Sequence, residues 1–383
     1  ESTRYGAVVY EPQPGSSLLR GRMSVKLRVV TTVADHWAGG ESHVRNLKWA
    51  TDGAPIYLQT VEGSQVPRDL DVDYVDYPLE EGERYSSSKF YNHYDRLGEL
   101  NFDDADVVLF MQQDIIVTTK LLELAQESYD SNRVLISFLC EYSLSVYDRE
   151  SGELDYPRLW EGGLFVPAGI LKQAIRDGVS FGVMINLLNK GTWLSDLIES
   201  EWAEFDVSDP WIHRQLPAPP ANRSPVVDYL KRCQEAGYFD TMHEWTLYAK
   251  ARQVPYRILG GGVGNAWRCS SHMEHFQGIE TIVRDTCGRL YDDLSLFADL
   301  SPSDQYVNAT GFGAVAFMCL LAGKARMNDK TAGFLLCGGP ALEAQLLEVN
   351  RHASEWMTSA ELERMTWAMS RVSIFGCGDH DVK

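Results

Sequence analysis

Five short stretches of the sequence carry side chains suited to chemistry. The run DADVVLFMQQD, Asp104 to Asp114, reads as a buried strand that stops abruptly at Gln112, Gln113 and Asp114. A carboxylate delivered by the end of a buried strand is held rigidly, where a metal ion or a polar substrate can meet it. Mg²⁺ or Mn²⁺ takes oxygen ligands and needs only one or two protein carboxylates when phosphates and waters complete six positions, so one Asp suffices. The same Asp can instead cap a turn or helix after the strand.

GYFDTMHEW, residues 237–245, places Asp240 at an N-cap position with Glu244 in the first helical turn. Both carboxylates then lie near the positive end of a helix, as plain caps or as reactive groups. In RCSSHMEH, residues 268–275, His272 and His275 stand three apart. Imidazole suits Mn²⁺ better than Mg²⁺, and two surface histidines are the alternative reading. The pattern is not HExxH, which disfavours a zinc peptidase. Arg84, Lys89, His93 and Arg96 form a cationic cluster that can meet a diphosphate by charge-assisted hydrogen bonds, or pair with Glu80, Glu81 and Asp95 on a solvated face. Gly162 and Gly163 make a tight turn.

These groups need elements to hold them. Residues 1–24, with Pro12, Pro14 and Gly15, predict an irregular lead-in. Lys26 to Val33 (KLRVVTTV) reads as a strand ending in the polar turn Ala34, Asp35, His36. A helix over Glu41 to Thr51 follows, with strands over Ala54 to Val61 and Val72 to Tyr77. Arg84 to Leu97 has near-helical spacing, Asp106 to Met111 is the next strand, Thr118 to Ser128 a helix, and Val134 to Leu139 a strand. Strand, helix, strand opens a parallel sheet, and the whole predicts an α/β domain of nucleotide-binding type. No GxGxxG follows any strand, so the dinucleotide fingerprint is absent.

Farther along, a strand at Leu164 to Pro167 leads into a helix at Ala168 to Arg176, and the proline-rich Leu216 to Pro225 must be an extended loop. Pro225 to Ala236 and Asp240 to Arg252 read as helices, and Tyr256 to Leu259 as a strand. After Gly278 the chain turns helical, through Glu280 to Leu300, the apolar Gly311 to Gly323, Ala341 to His352 and Ala360 to Ser370.

With 44% hydrophobic residues among 383, the chain can bury a sizeable core. Its 54 acidic against 35 basic residues, a net charge of -19, repel nucleic acid and anionic membranes. Small anionic substrates remain open, because a distant charge is screened within about 8 Å at physiological salt. The apolar 311–323 stretch is too short to span a bilayer, and no signal peptide precedes the first strand, so a soluble protein without a membrane span is expected. Seven scattered cysteines without a CxxC pair point to reduced thiols and a cytoplasmic location.

The strand-end Asp114, the acidic helix start at Asp240 and Glu244, the late histidines, the basic segment and the Gly turn come in an order that resembles the functional elements of GT-A glycosyltransferases over residues 25–280. That family usually carries Asp-x-Asp at the strand end, and Gln112 stands in the first position here. The resemblance implies a GT-A-like, Rossmann-type mixed sheet flanked by helices as a domain over 25–280. Residues 281–383 would form a helical C-terminal extension, packed on the catalytic part or serving as an oligomerisation surface.

The resemblance also implies a hexosyltransferase-type enzyme that moves a sugar from a nucleotide diphosphate sugar to a small-molecule or glycan acceptor. Thr31, Val33, Asp35, Arg84, Lys89, Gln112, Gln113, Gly162 and Gly163 would hold the donor. Asp114, His272 and His275 would hold a divalent cation, Mn²⁺ or Mg²⁺. Glu244 matches the base of inverting members best, with Asp240 the competing choice; such a base works best when burial lifts its pKa toward the working pH. With Gln112 in place of Asp, any metal site depends on His272, His275 or the substrate itself. Other classes stay open: a metal-dependent hydrolase using Asp114, His272 and His275, or a non-catalytic nucleotide-sugar-binding protein. A sugar nucleotidyltransferase would need a Gly-rich, Arg- and Lys-bearing loop after the first strand, which is missing.

Overall fold

The computed structural model describes residues 25–33, 40–61, 66–78, 92–113, 115–117, 119, 121–130, 135–138, 144–147, 154–156, 159, 162–182, 205–207, 242–259, 273–275 and 309–372. Its strands are β1 (Leu27–Thr32), β2 (Ile56–Val61), β3 (Asp73–Tyr77), β4 (Val107–Gln112), β5 (Ile115–Val117), β6 (Leu135–Phe138), β7 (Leu144–Tyr147), β8 (Leu154–Tyr156), β9 (Leu164–Pro167), β10 (Phe205–Val207), β11 (Tyr256–Leu259) and β12 (Met273–His275). Its α-helices are α1 (Gly40–Ala50), α2 (Leu121–Asp130), α3 (Ala168–Arg176), α4 (His243–Ala251), α5 (Ala309–Leu321), α6 (Asp329–Cys337), α7 (Gly339–Trp356) and α8 (Ser359–Val372).

Seven strands form one mixed sheet in the order β11-β6-β9-β4-β1-β2-β3. The central strands read as they must for a sheet covered on both faces. LRVVTT of β1 is buried at every position, and VVLFMQ of β4 at every position but the last. β1 and β4 start side by side: the Asp106 and Val107 amides donate to Lys26 O at 2.8 and 3.2 Å, and Lys26 N donates to Asp106 Oδ2 at 2.9 Å. They therefore run in the same direction. β2 and β3 are parallel, as are β6 and β11, while β9 lies antiparallel between β4 and β6. The outer strand β3 carries charge suited to an edge, with Arg68 paired to Asp76 and stacked on Tyr74. This is the expected α/β architecture of a mixed sheet with helices and a helical C-terminal region.

The chain divides into two compact units. The first comprises residues 1–29, 86–110 and 122–270. Its described part contains β6, β9, β11, the antiparallel three-stranded sheet β10-β7-β8, and helices α3 and α4. Arg84 to Leu97 differs from expectation: its described portion, within Asn92–Glu99, is a 3-10 helix, and Arg96 is paired with Glu99. An i,i+3 pair of this kind suits the tighter winding, in which those positions eclipse.

The second unit comprises residues 30–85, 111–121 and 271–383. There α5 to α8 pack together, and α8 and α7 reach α1 through Ser42, Arg45 and Trp49. α1 buries Val44, Leu47 and Ala50, with Glu41 in its first turn and Lys48 in its last, which suits the helix dipole. Among the described residues no helix is long and apolar enough to cross a membrane.

Candidate functional site

In a sheet whose strand order reverses, ligands bind at the carboxyl ends of the strands flanking the reversal. Here it falls between β1 and β4, since the chain runs outward through β2 and β3 and then returns to the other side of β1. The carboxyl ends of those two strands carry Thr31 and Val33, and Gln112 and Gln113, all in the second unit.

Thr31 is fully buried, and its hydroxyl lies 2.8 Å from His43 Nε2. Val33 is fully buried as well, and its amide donates to Gln59 O at 2.9 Å. Gln112 is half-buried and Gln113 buried, so the polar stop after β4 turns part of itself inward. Directly after Asp114 the chain forms β5, which the sequence did not predict, and β12 pairs with it antiparallel. The register sets His275 opposite Ile115, Glu274 opposite Ile116 and Met273 opposite Val117. The residues that directly follow Asp114 and the end of the HxxH stretch thus meet on adjacent strands.

Two residues missed from the sequence complete this arrangement. His43 Nδ1 lies 3.2 Å from Ile115 O, and Asn46 exchanges two hydrogen bonds with the backbone of Val117. The signal was present in α1, where His43, Asn46, Leu47 and Ala50 share one helical face that mixes polar with apolar residues.

In the first unit, Gly162 and Gly163 are both buried and lead straight into β9. Glu244 lies in the first turn of α4 and is fully buried. The helix begins at His243, not at Asp240: the flanking residue is Met242, held at φ 62 with its amide donating to Phe181 O at 3.0 Å. A non-glycine residue in that conformation costs about 1–3 kcal/mol and tends to mark functional sites. Trp245 packs on Phe181 and Tyr248, ring centroids 5.3 and 5.8 Å away. Thr246 Oγ1 accepts from the Leu159 amide at 2.9 Å and donates to Met242 O at 2.8 Å. The helix start bearing Glu244 is thereby fixed to the segment that runs into the Gly turn.

Asp35, Arg84, Lys89, Asp114, Asp240 and His272 lie outside the described residues, and of His275 only the backbone is placed. Among the described residues no three His, Cys, Asp or Glu gather as metal ligands. A carboxylate together with imidazole is a donor set that suits Mn²⁺, and the register sets the backbone of His275 opposite Ile115, the residue after Asp114.

No family model matches the chain, and no curated protein matches it. Among solved structures it is similar to the apo form of the glycosyltransferase GlyE of Streptococcus pneumoniae TIGR4, at 18% identity over 56% of this chain and 44% of that one, with a TM-score of 0.24. Mouse xyloside xylosyltransferase 1, also apo, aligns at 12% identity over 64% of this chain and 89% of that one, TM-score 0.33. The WbbM bifunctional glycosyltransferase aligns at 11% over 65% and 48%, TM-score 0.26. The chain thus spans less than half the length of the apo GlyE and WbbM structures. All three are glycosyltransferases, at TM-scores below 0.5, so the functional reading rests on the chain's own residues.

Proposed function

We propose that the chain is a nucleotide-sugar-dependent glycosyltransferase of the hexosyl type, metal-assisted and inverting. The observation that carries this reading is the pairing of β12 with β5, His275 opposite Ile115, at the carboxyl end of a strand beside the sheet's reversal. That is where an α/β sheet binds phosphorylated ligands, and where Asp114 and the late histidines are needed together. Asp114, with His272 or His275, would hold Mn²⁺ or Mg²⁺, whose charge offsets that of the departing diphosphate. The segments after β1 and β4, with Arg84, Lys89, Gly162 and Gly163, would hold the donor.

In the reaction the acceptor hydroxyl oxygen bonds to the anomeric carbon, its proton passes to the Glu244 carboxylate, and the bond to the diphosphate oxygen breaks with the electron pair leaving on the diphosphate. Asp240 is the alternative base. Thermal-shift measurements with UDP-, GDP- and dTDP-sugars, with and without Mn²⁺, test the reading. Stabilisation by one nucleotide sugar, enhanced by Mn²⁺, is the expected result. No shift with any of them overturns the transferase reading, and a shift with Mn²⁺ alone points to a hydrolase.

A further inference from the structure

β5 is only three residues long, and side chains of α1 hold its backbone in addition to β12. Asn46 turns both ends of its amide to Val117: Nδ2 donates to Val117 O at 3.1 Å, and Oδ1 accepts from Val117 N at 2.8 Å. An amide side chain so placed reproduces the pair of hydrogen bonds that a neighbouring strand would supply. One turn earlier, His43 Nδ1 faces Ile115 O. A carbonyl oxygen can only accept, so Nδ1 carries the hydrogen. With a neutral ring, Nε2 then accepts from the Thr31 hydroxyl. Thr31, His43, Asn46, Ile115 and Val117 are each no more than 3% exposed, so water competes for none of these bonds.

β1 is thus coupled through Thr31 and His43 to the backbone immediately after Asp114. The helix face that makes the coupling is itself tied to the C-terminal helices, since Ser42 and Arg45 both donate to Glu361. We infer that His43 and Asn46 are positioning residues for the cation-binding strand end: they fix β5 from the helix side while β12 fixes it from the other. The inference rests on the transferase reading for the identity of the cation, and on the Asn46–Val117 and His43–Ile115 bonds for the positioning itself. Groups that orient a metal's ligands without touching the ion commonly shift its affinity 10- to 100-fold when removed.

The test is Asn46→Ala in the full chain, read by Mn²⁺ titration in the presence of UDP, GDP or dTDP, and by amide hydrogen exchange at Val117. The expected result is Mn²⁺ affinity lowered about 10- to 100-fold with a Val117 amide that exchanges faster, in a protein that still unfolds in one transition. A purely structural role would lower the unfolding temperature and leave the folded molecules' Mn²⁺ affinity unchanged, which overturns the inference. Thr31→Val, which removes the partner of His43 Nε2 at nearly constant volume, carries the same test should Asn46→Ala fail to fold. An unaltered chain that binds no Mn²⁺ with any of the three nucleotides overturns the metal-assisted reading and this inference together. Wild-type affinity in the folded variants overturns the inference alone.

Discussion

Arg45 of α1 and Glu361 of α8 form an ion pair in which the Glu361 side chain is 5% exposed and that of Arg45 26%. Glu361 divides its two oxygens: Oε1 accepts from Arg45 and Ser42, while Oε2 accepts from Thr358 N at 2.7 Å and Thr358 Oγ1 at 2.8 Å. The Glu361 amide returns a bond to Thr358 Oγ1 at 3.3 Å, which closes a capping box at the start of α8. One carboxylate therefore starts a C-terminal helix and fastens it to α1. Removing it takes one of two carboxylates from Arg45, which keeps Glu41, and also takes the cap from α8, so Glu361→Ala is expected to cost about 2 kcal/mol in urea unfolding with an unchanged slope. A loss under about 1 kcal/mol, the range of exposed pairs, would show that the pair holds little.

Gly313 and Gly338 mark where α5 passes the junction of α6 and α7. A Cβ on Gly313 would stand 2.7 Å from Leu342 Cδ2 and 2.8 Å from both Cα and N of Gly338. Leu342 can turn aside, but the Gly338 backbone cannot. Gly313→Ala should therefore destabilise by about 1–3 kcal/mol, although alanine is the better helix former. Gly333, inside α6, has nothing within 4 Å of its Cβ position. Gly333→Ala is expected to stabilise by up to about 1 kcal/mol. Thermal unfolding of the two variants in parallel should shift in opposite directions, and a shared direction would mean that this close approach is not what sets the outcome.

Alkaline pH offers one probe in each unit. Burial pushes the Cys319 thiol up to about 12. Burial first, and then donation to Asp177 at 2.8 Å, push the Tyr248 hydroxyl up to about 12. Both groups stay protonated in the folded chain well above the pH at which they ionise when unfolded, so between those values the unfolded state binds fewer protons. Stability is then fully present below about pH 8.5 and falls as pH rises toward 12. Urea midpoints at pH 8 and pH 10.5 should differ, and Tyr248→Phe combined with Cys319→Ala should reduce the difference. An unchanged slope in that double variant would place the alkaline sensitivity elsewhere.

Elements whose periodicity is local are legible in the sequence. KLRVVTTV gives β1, the apolar run at 311–323 gives α5, and the acidic helix start near Glu244 gives α4. What depends on distant partners is not. β5 is three residues that no propensity rule separates from β4, and it exists because Asn46 and β12 supply its hydrogen bonds. The antiparallel seat of β9 between β4 and β6 is likewise a pairing of remote segments. At the site, the abrupt polar stop makes Gln112 and Gln113 visible. His43 and Asn46 escape notice because their partners are backbone atoms 72 and 71 residues away, which carry no side-chain signature. The start of α4 lies at His243 rather than Asp240 because Met242 takes a positive φ, which the local sequence does not signal, while its amide donates to Phe181 O.

Glu244 is the sharpest test of the chemistry, because its two candidate roles predict opposite readouts. It is fully buried in the first turn of α4, beside Met242 in its costly conformation and Trp245 between Phe181 and Tyr248. Glu244→Gln keeps the side chain's volume and its hydrogen-bonding oxygen but can take no proton at working pH. If Glu244 is the base, the variant should bind the nucleotide sugar as the unaltered chain does, unfold within a few degrees of it, and lose kcat by about 10²–10⁴-fold with little change in KM. If it only holds the helix start, the unfolding temperature should fall while the folded variant turns over at nearly the original rate. Asp240→Asn, measured beside it, distinguishes the two carboxylates: the larger loss of kcat without loss of binding identifies the base.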